Sequence, residues 1–585
     1  MNVRLAFHTV RYLKPGQLLA QVRFRFRRRW LGRFYAHRIA RCMAPAQMPS
    51  FRLVPKSFPA METNLKTRTF VFLNHSVQFP RQIEWNDPRQ EKLWLYHLHY
   101  FDYLLPFIQP GSSNDFESGR KIIQEWIEQN PVGYGNGWEP YPTSLRLINW
   151  TFFFTRFSTQ LAENPSFQKQ FWNSLYRQFL WLEKFLEYHL MANHLLVNLK
   201  AMVWGSLLFR DEKRFRRYTQ KFSEQLQEQI LPDGGHFERS PAYHAAILVD
   251  LLDLCNLLSA LGSSGIQIPG MQELHAELES VIPKMLEWLH FMTHPDGEIA
   301  LFGDSALKVA PAPTQILAYF RSVCQQSVTL PNLEVKWLKH SGYVMFTGRN
   351  QRLILDAGEL GVSYQPGHAH CDLTSFEYAF DGERFIVDTG VGSYLPDERR
   401  QKARSILGHN TVVVNGLDQA EIWQAFRMGR RVSPSRVNLE QIHRGVRFSV
   451  EYENRLVPAR GYWHRRRVEM VEEEFFLIQD AIRTSHPESI ESRLHFPPDT
   501  EIQLEKGRCW LIREEKKVVL LWNPQQMRAQ LHSWFYVPEF GKIRNTRMLV
   551  FYPPIETEGT MCYVIAPEQS IQKAEAYLTE HCRNG

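Results

Sequence analysis

Three short segments of this 585-residue chain concentrate histidine, tyrosine and amide side chains that could do chemistry. The first is NHLLVN, which holds Asn193, His194 and Asn198. Asn193 is predicted to be the N-cap of a helix, which places His194 in the first turn and Asn198 one turn later on the same side. Capping accounts for Asn193 alone, so the other two residues are candidates for a functional site.

The second segment is DGGHFERSPAYH, which ends at His244. Ser240 followed by Pro241 predicts a helix start, because Pro fits the first helical position and Ser can cap it. Tyr243 and His244 then lie in the first turn, where exposed backbone amides favour anionic groups. A hydrophilic loop is the alternative, but the density of ionisable residues, Arg239 among them, also fits a functional role.

The third segment is GHAHCDLTSFEYAFDGERFIVDTG, residues 367–390. His368 and His370 stand two residues apart and would face the same side of an extended chain. Asp388 follows on the next predicted strand, and His409 comes soon after in GHNTVVVNG. Imidazoles with a carboxylate are adequate ligands for a Zn²⁺-like ion. The alternative is the hydrated edge of a sheet.

One geometric objection weighs against a metal site in this segment. A two-residue hairpin at Asp381-Gly382 would place Asp388 opposite Ser375, away from His370 and on the other face of the sheet. These residues can meet only if GHAHCD is a loop that curls back over the sheet. Spacing alone therefore leaves the question of a metal open.

Hydrophobic periodicity predicts the elements that carry these segments. From about residue 90 to 325, apolar residues recur every three or four positions, as in AAILVDLLDLCNLLSALG (245–262), which indicates amphipathic helices. After about residue 335 the period becomes two, in short β-branched and aromatic runs bounded by Gly, Asp and Asn. The pattern predicts an α-helical domain followed by a large antiparallel β-sandwich.

Charge is distributed unevenly along the chain. The formal net charge is +8, but residues 1–61 hold 13 Lys and Arg and no acidic residue. The rest of the chain has 56 basic against 61 acidic residues, so the basicity belongs to an N-terminal arm that includes RFRFRRRW (23–30). A basic segment of this kind is more commonly solvated or paired within the protein, and contact with acidic lipid or another polyanion is the alternative.

Several classes of protein are disfavoured by what the sequence lacks. Seven cysteines are dispersed singly from Cys42 to Cys582, which argues against a disulfide scaffold and a thiolate metal cluster. There is no Gly-rich nucleotide motif, HExxH or GxSxG, and no nucleic-acid partner is predicted. Arg and Lys interrupt the N-terminal apolar run, so no Sec-type signal peptide or membrane span is predicted. This pattern favours a cytoplasmic location. A periplasmic or secreted location is the alternative if the protein is exported by a route that this sequence pattern does not reveal.

The chain resembles the heparinase II/III-like polysaccharide lyases, whose relatives include alginate lyase and dermatan sulfate epimerase. Six segments carry the resemblance: WEPYPTSLRLINW (138–150), NHLLVNLKAMVWG (193–205), DGGHFERSPAYH (233–244), HPDGEIALFGDSA (294–306), GHAHCDLTSFEYAFDGERFIVDTG (367–390) and GHNTVVVNGLDQAEIW (408–423). The resemblance implies an α+β multidomain chain, with an incomplete (α/α) toroid followed by a large antiparallel β-sandwich. The expected parts are a basic extension over 1–85, the toroid over 86–330 and the sandwich over 331–585.

The resemblance also implies roles for particular residues. Asn193 and His194 would neutralise a substrate carboxylate, Tyr243 would act as base or acid, and His368 would be its partner. The implied metal site consists of His370, Asp388 and His409. It would bind a divalent ion, and the types of these ligands favour zinc. Substrate contacts are expected from Arg239, from His244 and from Arg404 in the basic run ERRQKARS (398–405).

The implied activity is β-elimination on a uronic-acid-containing polysaccharide, either glycosaminoglycan-like or alginate-like. A C5 uronate epimerase is the alternative, since it shares the first proton abstraction and then returns a proton to C5. A non-catalytic polysaccharide-binding protein of cell-envelope polysaccharide biosynthesis is a third interpretation. The expected partner in every case is an acidic polysaccharide.

Overall fold

The structure is a computed structural model that describes residues 3–46, 48–56, 58, 62–108, 113–486 and 489–582. The N-terminal arm, defined as residues 3–46, is helical for most of its length. Its helices are α1 (Val3–Val10), α2 (Pro15–Phe26) and α3 (Gly32–Ala40), and a π-helical turn (Arg27–Leu31) joins the last two. A small hairpin of β1 (Thr69–Phe72) and β2 (His75–Gln78) follows.

The central part of the chain is helical. Its helices are α4 (Lys92–Tyr100), α5 (Ser113–Gln129), α6 (Pro140–Arg156), α7 (Ser158–Ala162), α8 (Pro165–Lys184), α9 (Ala192–Leu208), α10 (Glu212–Gln229), α11 (Pro241–Ser263), α12 (Met271–Phe291) and α13 (Pro313–Cys324). They pack as neighbouring pairs around a core rich in large aromatic residues, among them the fully buried Trp94, Trp126, Trp150 and Trp204. The predicted helical periodicity is confirmed, and this domain is the incomplete toroid.

Helix α11 packs against three other helices of the toroid. Within the described residues it alone is long and apolar enough to cross a membrane, and 78% of its apolar window is buried inside the fold. Its side chains are apolar on nearly every side because it packs against α9, α12 and α13 at once.

The C-terminal part of the chain is built of antiparallel strands. They are β3 (Val335–Leu338), β4 (Tyr343–Gly348), β5 (Gln351–Asp356), β6 (Phe376–Phe380), β7 (Glu383–Ile386), β8 (Val412–Val414), β9 (Ala420–Trp423), β10 (Arg427–Arg431), β11 (Pro434–Ile442), β12 (Gly445–Asn454), β13 (Tyr462–Val471), β14 (Phe475–Thr484), β15 (Ile490–His495), β16 (Glu501–Glu505), β17 (Arg508–Arg513), β18 (Lys516–Trp522), β19 (Arg528–Glu539), β20 (Lys542–Tyr552) and β21 (Glu558–Pro567). Helices α14 (Glu398–Arg404) and α15 (Ile571–His581) accompany them.

These strands form three main sheets with a shared apolar core. Their orders are β3-β4-β5-β6-β7, β19-β20-β15-β8 and β11-β12-β13-β14-β21-β18-β17-β16, and β9 pairs with β10 separately. Alternate residues of β12 are buried, as the period of two predicts. One disulfide, Cys562–Cys582, ties the end of α15 to β21. The predicted fold class, a toroid followed by a large antiparallel β-sandwich, is confirmed, while the residue limits of the domains stay predictions.

The hairpin objection is resolved by a long loop. Asp381 and Gly382 both have positive φ, 49° and 85°, and they connect β6 to β7 as the sequence predicts. Residues 357–375, which include GHAHCD, form a loop and not a strand. The side chain of Asn410 donates to the carbonyl oxygens of Phe376 (2.8 Å) and Val387 (2.9 Å), so it holds this loop's exit beside the segment that bears Asp388.

The two domains are joined by an apolar patch and by polar contacts, among them those of Arg239. Trp288 at the end of α12 packs with Tyr343 and Ile354 of the first sheet, all fully buried. The guanidinium of Arg239, which has a φ of 58°, donates to the carbonyl oxygens of Ser341 (3.0 Å) and Gly361 (3.0 Å). This part of the toroid is therefore fixed against the sandwich.

The N-terminal arm contacts both domains. His8 Nδ1 lies 2.8 Å from Glu421 Oε2 at the β9–β10 hairpin of the sandwich. Lys14 pairs with Glu228 of α10 in the toroid, and its ammonium lies 4.0 Å from the ring centroid of Tyr364 in the long loop. Helix α3 packs against α8. The arm thus bridges the junction between the domains.

Candidate active site

The three segments singled out in the sequence meet at the junction of the two domains. Tyr243 near the start of α11 stacks on His368 of the 357–375 loop, with ring centroids 3.8 Å apart and planes at 28°. Glu238 connects this pair to the start of α9, because its Oε1 accepts from the backbone N–H of Asn193 (3.0 Å) and its Oε2 lies 3.6 Å from His368 Nε2. Residues from both domains therefore form a single site.

Both helix starts differ from the predicted caps. Helix α9 begins at Ala192, with Met191 as the residue before it, so Asn193 lies inside the first turn and does not cap. Helix α11 has the predicted Pro at its first position, but the Ser240 hydroxyl bonds to the Ser305 hydroxyl (2.8 Å). Ser305 in turn accepts from the Ala242 N–H (3.2 Å), so a residue from a distant loop satisfies this helix end.

Asn193 presents its amide to the site. Its Oδ1 accepts from the neighbouring N–H of His194 at 2.8 Å, and the side chain is held in place by that bond. Its Nδ2 has no hydrogen-bond partner in the part of the chain that the structure describes, so its two N–H donors are available to a bound anion. The non-capping position leaves the amide free for this contact.

His194 is backed by a carboxylate. Its Nδ1 lies 3.2 Å from Glu187 Oε2, and 30% of its side chain is exposed. Burial works against protonation, but the Glu187 carboxylate with its hydrogen bond, and Glu238 further away, raise the pKa of His194 above its ordinary value. Asn198 fixes the pair, since it accepts from the Glu187 N–H (2.9 Å) and donates to Glu187 Oε2 (3.2 Å). The structure places Asn198 beside His194, as the helical spacing predicts.

The Glu187 contact leads to a first prediction. Glu187→Gln is expected to lower the pKa of His194, because it removes the charge that favours the imidazolium and leaves the burial that opposes it. In the wild type the stabilisation by this pair is fully present below the ordinary value of 6.5 and is lost as the pH rises through the raised pKa. Histidine resonances followed by NMR against pH measure this shift.

The control is an exposed glutamate on α5. Glu128→Gln removes a carboxylate of the same kind far from His194 and should leave the His194 titration unchanged. An unchanged His194 titration in Glu187→Gln itself would show that the Glu187 charge does not set this pKa.

Tyr243 is paired with a second tyrosine that the sequence interpretation missed. The hydroxyls of Tyr243 and Tyr394 are 2.6 Å apart. Burial raises the pKa of Tyr243 well above its ordinary value, and Tyr394 and Asp304 add to the effect. The guanidinium of Arg239, which the sequence predicts as a substrate contact, binds backbone carbonyls of the sandwich instead. The resting Tyr243 is a neutral phenol that can donate a proton.

Asp304 lies at the centre of the site. It is fully buried, and its two oxygens contact His368 Nδ1 (2.8 Å), His370 Nε2 (2.8 Å) and the guanidinium of Arg400 in a bidentate pair. Burial works to raise the pKa of Asp304, but Arg400 and the two imidazoles hold it well below its ordinary value. Because a carboxylate only accepts, His368 Nδ1 and His370 Nε2 are the donors in these bonds.

Gly303 is required beside Asp304. It has a φ of +57°, and a Cβ added there would lie 2.9 Å from the His368 carbonyl oxygen. The Asp304 N–H donates to that same oxygen at 2.9 Å. Only glycine allows the two backbones to approach so closely, and this approach sets the position of the His368 loop.

The predicted metal ligands are partly rearranged. His370 Nδ1 and His409 Nε2 are buried and have no hydrogen-bond partner among the described residues. Together with a carboxylate oxygen of Asp372 they form a group whose donor atoms all lie within 4.8 Å of one another. Asp388 is not in this group, because its Oδ2 accepts from His409 Nδ1 at 2.6 Å. The sequence interpretation named Asp388 as a ligand and missed Asp372.

This donor set fits a metal ion. The bond from His370 Nε2 to Asp304 and the bond from His409 Nδ1 to Asp388 each use one ring nitrogen and turn the other towards Asp372. Burial lowers the pKa of His370 to about 4, which keeps its free nitrogen available as a ligand. Carboxylates behind metal-binding imidazoles orient the rings in this way, so Asp304 and Asp388 act from outside the ligand set.

The structure does not support substrate contacts by His244 and Arg404. His244 is fully buried: its Nδ1 accepts from the His236 N–H (3.1 Å) and its Nε2 donates to the Met285 carbonyl (2.9 Å). Burial lowers the pKa of His244 to about 3. Arg404 is also fully buried, with its guanidinium on backbone carbonyls such as that of Gln424 (3.2 Å). Both residues stabilise the loops around the site.

Most of the missed residues lie inside segments that the sequence had already marked. Asp304 lies two residues before the end of the HPDGEIALFGDSA segment, and Arg400 lies one helical turn before Arg404 in the basic run. Asp372 follows two residues after His370. Tyr394, in VGSYLPDE, carries no local signal, since its role depends on a tyrosine 151 residues away.

Comparison with family models identifies two consecutive parts of the chain. Residues 62–326 match the model described as heparinase II/III N-terminus, and residues 330–566 match the one described as heparinase II/III-like, C-terminal. Together these matches cover most of the chain and meet close to the change from helices to strands.

Curated relatives and solved structures agree with this assignment. A heparin-sulfate lyase of Pedobacter heparinus is 27% identical over 308 residues, which are 48% of this chain and 44% of the relative. One from Bacteroides stercoris is 25% identical over 416 residues, 65% of this chain and 56% of the relative. The chain thus spans about half the length of the curated relatives it matches. A crystal structure of heparinase III has the same fold, with a TM-score of 0.69, 17% identity and coverage of 94% of this chain and 92% of that one.

Proposed function

The chain belongs to the heparinase II/III-like family, and from this membership and the geometry of the site we propose that it is a polysaccharide lyase acting on a glycosaminoglycan. The curated relatives are named heparin-sulfate lyases, which supports a uronate-containing, sulfated polymer as the substrate class. The observation that carries the proposal is the stacked Tyr243–His368 pair, which Glu238 joins to the backbone N–H of Asn193 at the start of the helix that bears His194.

The proposed reaction is β-elimination. The C5–H bond next to the uronate carboxylate breaks, a C4=C5 double bond forms, and the C4–O4 bond breaks with a proton delivered to the departing oxygen. The C5 proton is too weakly acidic for an unaided side chain, so charge that develops on the carboxylate must be stabilised. A site for this reaction therefore needs carboxylate donors, a base and an acid.

Asn193 and His194 supply the carboxylate donors in this proposal. The Asn193 amide has its N–H groups available, and Glu187 favours the imidazolium form of His194. Neutral and cationic donors placed where negative charge develops typically contribute a few kcal/mol each to such a reaction.

Tyr243 and His368 divide the proton transfers. Tyr243 is a neutral phenol in the resting site, which suits delivery of a proton to O4. His368 donates from Nδ1 to Asp304, so Nε2 is the nitrogen that can accept the C5 proton. Positioned groups of this kind contribute about 10²–10⁴-fold each. The hydroxyl of Tyr394 lies 2.6 Å from that of Tyr243 and can exchange a proton with it.

His370, Asp372 and His409 would hold a divalent ion, and zinc is the metal that two imidazoles and one carboxylate suit best. When bound, such an ion supplies a fixed charge that pins the His368 loop to the strands beneath it. In this proposal Asn193, His194, Tyr243 and His368 bind the substrate and transfer its protons. The candidate metal ligands are not among these residues.

A second prediction separates the two histidines of GHAHCD. His370→Ala is expected to lose bound metal and to melt at a lower temperature, because one of three ligands is gone. His368→Ala is expected to keep the metal and the fold and to lose turnover. Elemental analysis, melting temperature and rate are measured on the same preparations of the wild type and both variants.

An equal amount of metal in all three proteins, or none at stoichiometric level in the wild type, would contradict the metal assignment. His75→Ala is the matched control, because this exposed histidine lies on the β1–β2 hairpin and outside the site.

The lyase proposal is tested with a panel of uronate polymers, sulfated and unsulfated. The unsaturated uronate at each new chain end absorbs ultraviolet light, so a rising absorbance with chain shortening supports a lyase. Solvent deuterium at C5 without cleavage would replace the proposal with an epimerase. Binding without either reaction would replace it with a polysaccharide-binding protein.

A further inference from the structure

The N-terminal arm has an apolar outer face that the fold leaves uncovered. Leu19, Val22, Phe26, Trp30 and Phe34 are 55–68% exposed and follow one another at intervals of three or four residues along α2, the π-helical turn and α3. This spacing places them along one side of a nearly continuous helix. Soluble proteins scatter exposed apolar residues singly, whereas a contiguous row marks an interaction surface.

The opposite side of the same helix is already in use. Phe24 packs against Phe185 and His189, at ring distances of 6.2 Å and 4.2 Å, and Tyr35 packs against Phe185 at 6.1 Å. Ile39 is only 4% exposed. The helix therefore packs on the toroid through these residues, and the outer row is not the side that the toroid core covers.

The outer row is set among cationic side chains. The exposed arginines of the arm are Arg4, Arg11, Arg23, Arg25, Arg28, Arg29, Arg33, Arg38 and Arg41, and residues 1–61 contain no acidic residue. An apolar row of Leu, Val, Phe and Trp flanked by arginine is the composition of helices that lie in the interface of an anionic bilayer. There the apolar side chains enter the acyl boundary and the guanidinium groups meet the headgroup phosphates.

From these observations we propose that the outer face of the N-terminal arm docks the protein on the surface of an anionic lipid bilayer. Helix α1 also carries an exposed aromatic residue, since Phe7 is 68% exposed. The face is peripheral and not spanning, because its inner side remains packed on the toroid. A second copy of the chain is a poor occupant, since a symmetric contact would bring two acid-free, arginine-rich faces together.

The proposal is tested with the full-length protein in a vesicle flotation assay. Vesicles of phosphatidylcholine mixed with phosphatidylglycerol are compared with vesicles of phosphatidylcholine alone, at low and at physiological salt. We expect co-flotation with the anionic vesicles that weakens with salt. Absence of binding to anionic vesicles at low salt would overturn the proposal.

Two variants separate the apolar from the charged contribution. Trp30→Ser with Phe34→Ser is expected to weaken partitioning by roughly tenfold or more, because two large side chains no longer leave water. Arg29→Glu with Arg33→Glu is expected to abolish the preference for anionic vesicles. Circular dichroism and melting temperature should stay close to the wild type in both cases, since all four side chains are exposed.

Tyr134→Ser provides the matched control, because this aromatic residue is 57% exposed on the toroid and lies outside the arm. It should float like the wild type. Equal flotation of the Trp30/Phe34 variant and the control would overturn the proposal. So would a dimer in solution that this variant dissociates while no protein floats, because the row would then belong to a second copy.

Discussion

Tyr243→Phe is expected to lower turnover of the proposed glycosaminoglycan substrate by about 10²-fold or more while the melting temperature changes little. The substitution removes one hydroxyl and keeps the ring that stacks on His368 at 3.8 Å. The lost bond to Tyr394 costs only about 1 kcal/mol of stability, because hydrogen bonds of this kind exchange with water in the unfolded chain. Rate and thermal unfolding of one preparation measure both effects.

The matched control is Tyr364→Phe, which removes a hydroxyl that donates to Glu228 (2.7 Å) outside the site. Its loss of stability should be similar and its turnover should stay near that of the wild type. If Tyr243→Phe keeps more than a tenth of the wild-type rate, Tyr243 does not transfer the proton that limits the reaction.

Asp304→Asn is expected to have the largest effect on stability. The substitution keeps the side-chain volume but removes the charge that faces the fully buried guanidinium of Arg400. Breaking one partner of a buried ion pair typically costs 3–5 kcal/mol, since the remaining charge is left uncompensated. His368 and His370 also lose the acceptor that orients them, so turnover should fall too. Urea unfolding without substrate measures the free energy of unfolding.

A double variant and a surface control make this prediction specific. Asp304→Asn with Arg400→Met should recover part of the lost stability, because no unpaired charge remains. Asp499→Asn breaks an exposed pair with Arg544 and should cost under about 1 kcal/mol. A single Asp304 variant no less stable than the Asp499 control would show that Arg400 does not depend on this carboxylate.

The elements of the fold follow from local pattern, but their contacts do not. Strands such as β12 were predictable because their period of two reflects which face is buried, and α9 and α11 were recognisable as long apolar runs although they are buried on nearly every side. The helix starts at Asn193 and Ser240 were not predictable in this way, because they depend on contacts with residues that are distant in the sequence. Ser305, which satisfies α11, is 63 residues from the amide it binds.

The site shows the same limit more sharply. The segments that the sequence singled out meet in the structure, but the sequence could not choose between Arg400 and Arg404 in one short helix. That choice depends on Asp304, which lies 96 residues before Arg400 and accepts its guanidinium. Likewise, sequence spacing allows His409 to lie beside either Asp372 or Asp388. In the structure its Nδ1 donates to Asp388 at 2.6 Å, so Asp388 orients the His409 ring from outside the candidate metal-ligand set.

The N-terminal arm is attached to both domains, so binding of a partner to the arm is coupled to the arrangement of the domains. His8 binds the sandwich at Glu421, Lys14 binds Glu228 of the toroid, and α3 lies on α8, so the domains cannot separate without strain on the arm. A ligand that favours one arrangement of the two domains therefore changes the affinity of the arm for its own partner by the same factor, and the arm's partner does the same in return. We expect the lipid binding proposed for the arm to be coupled in this way to substrate binding at the Tyr243–His368 pair.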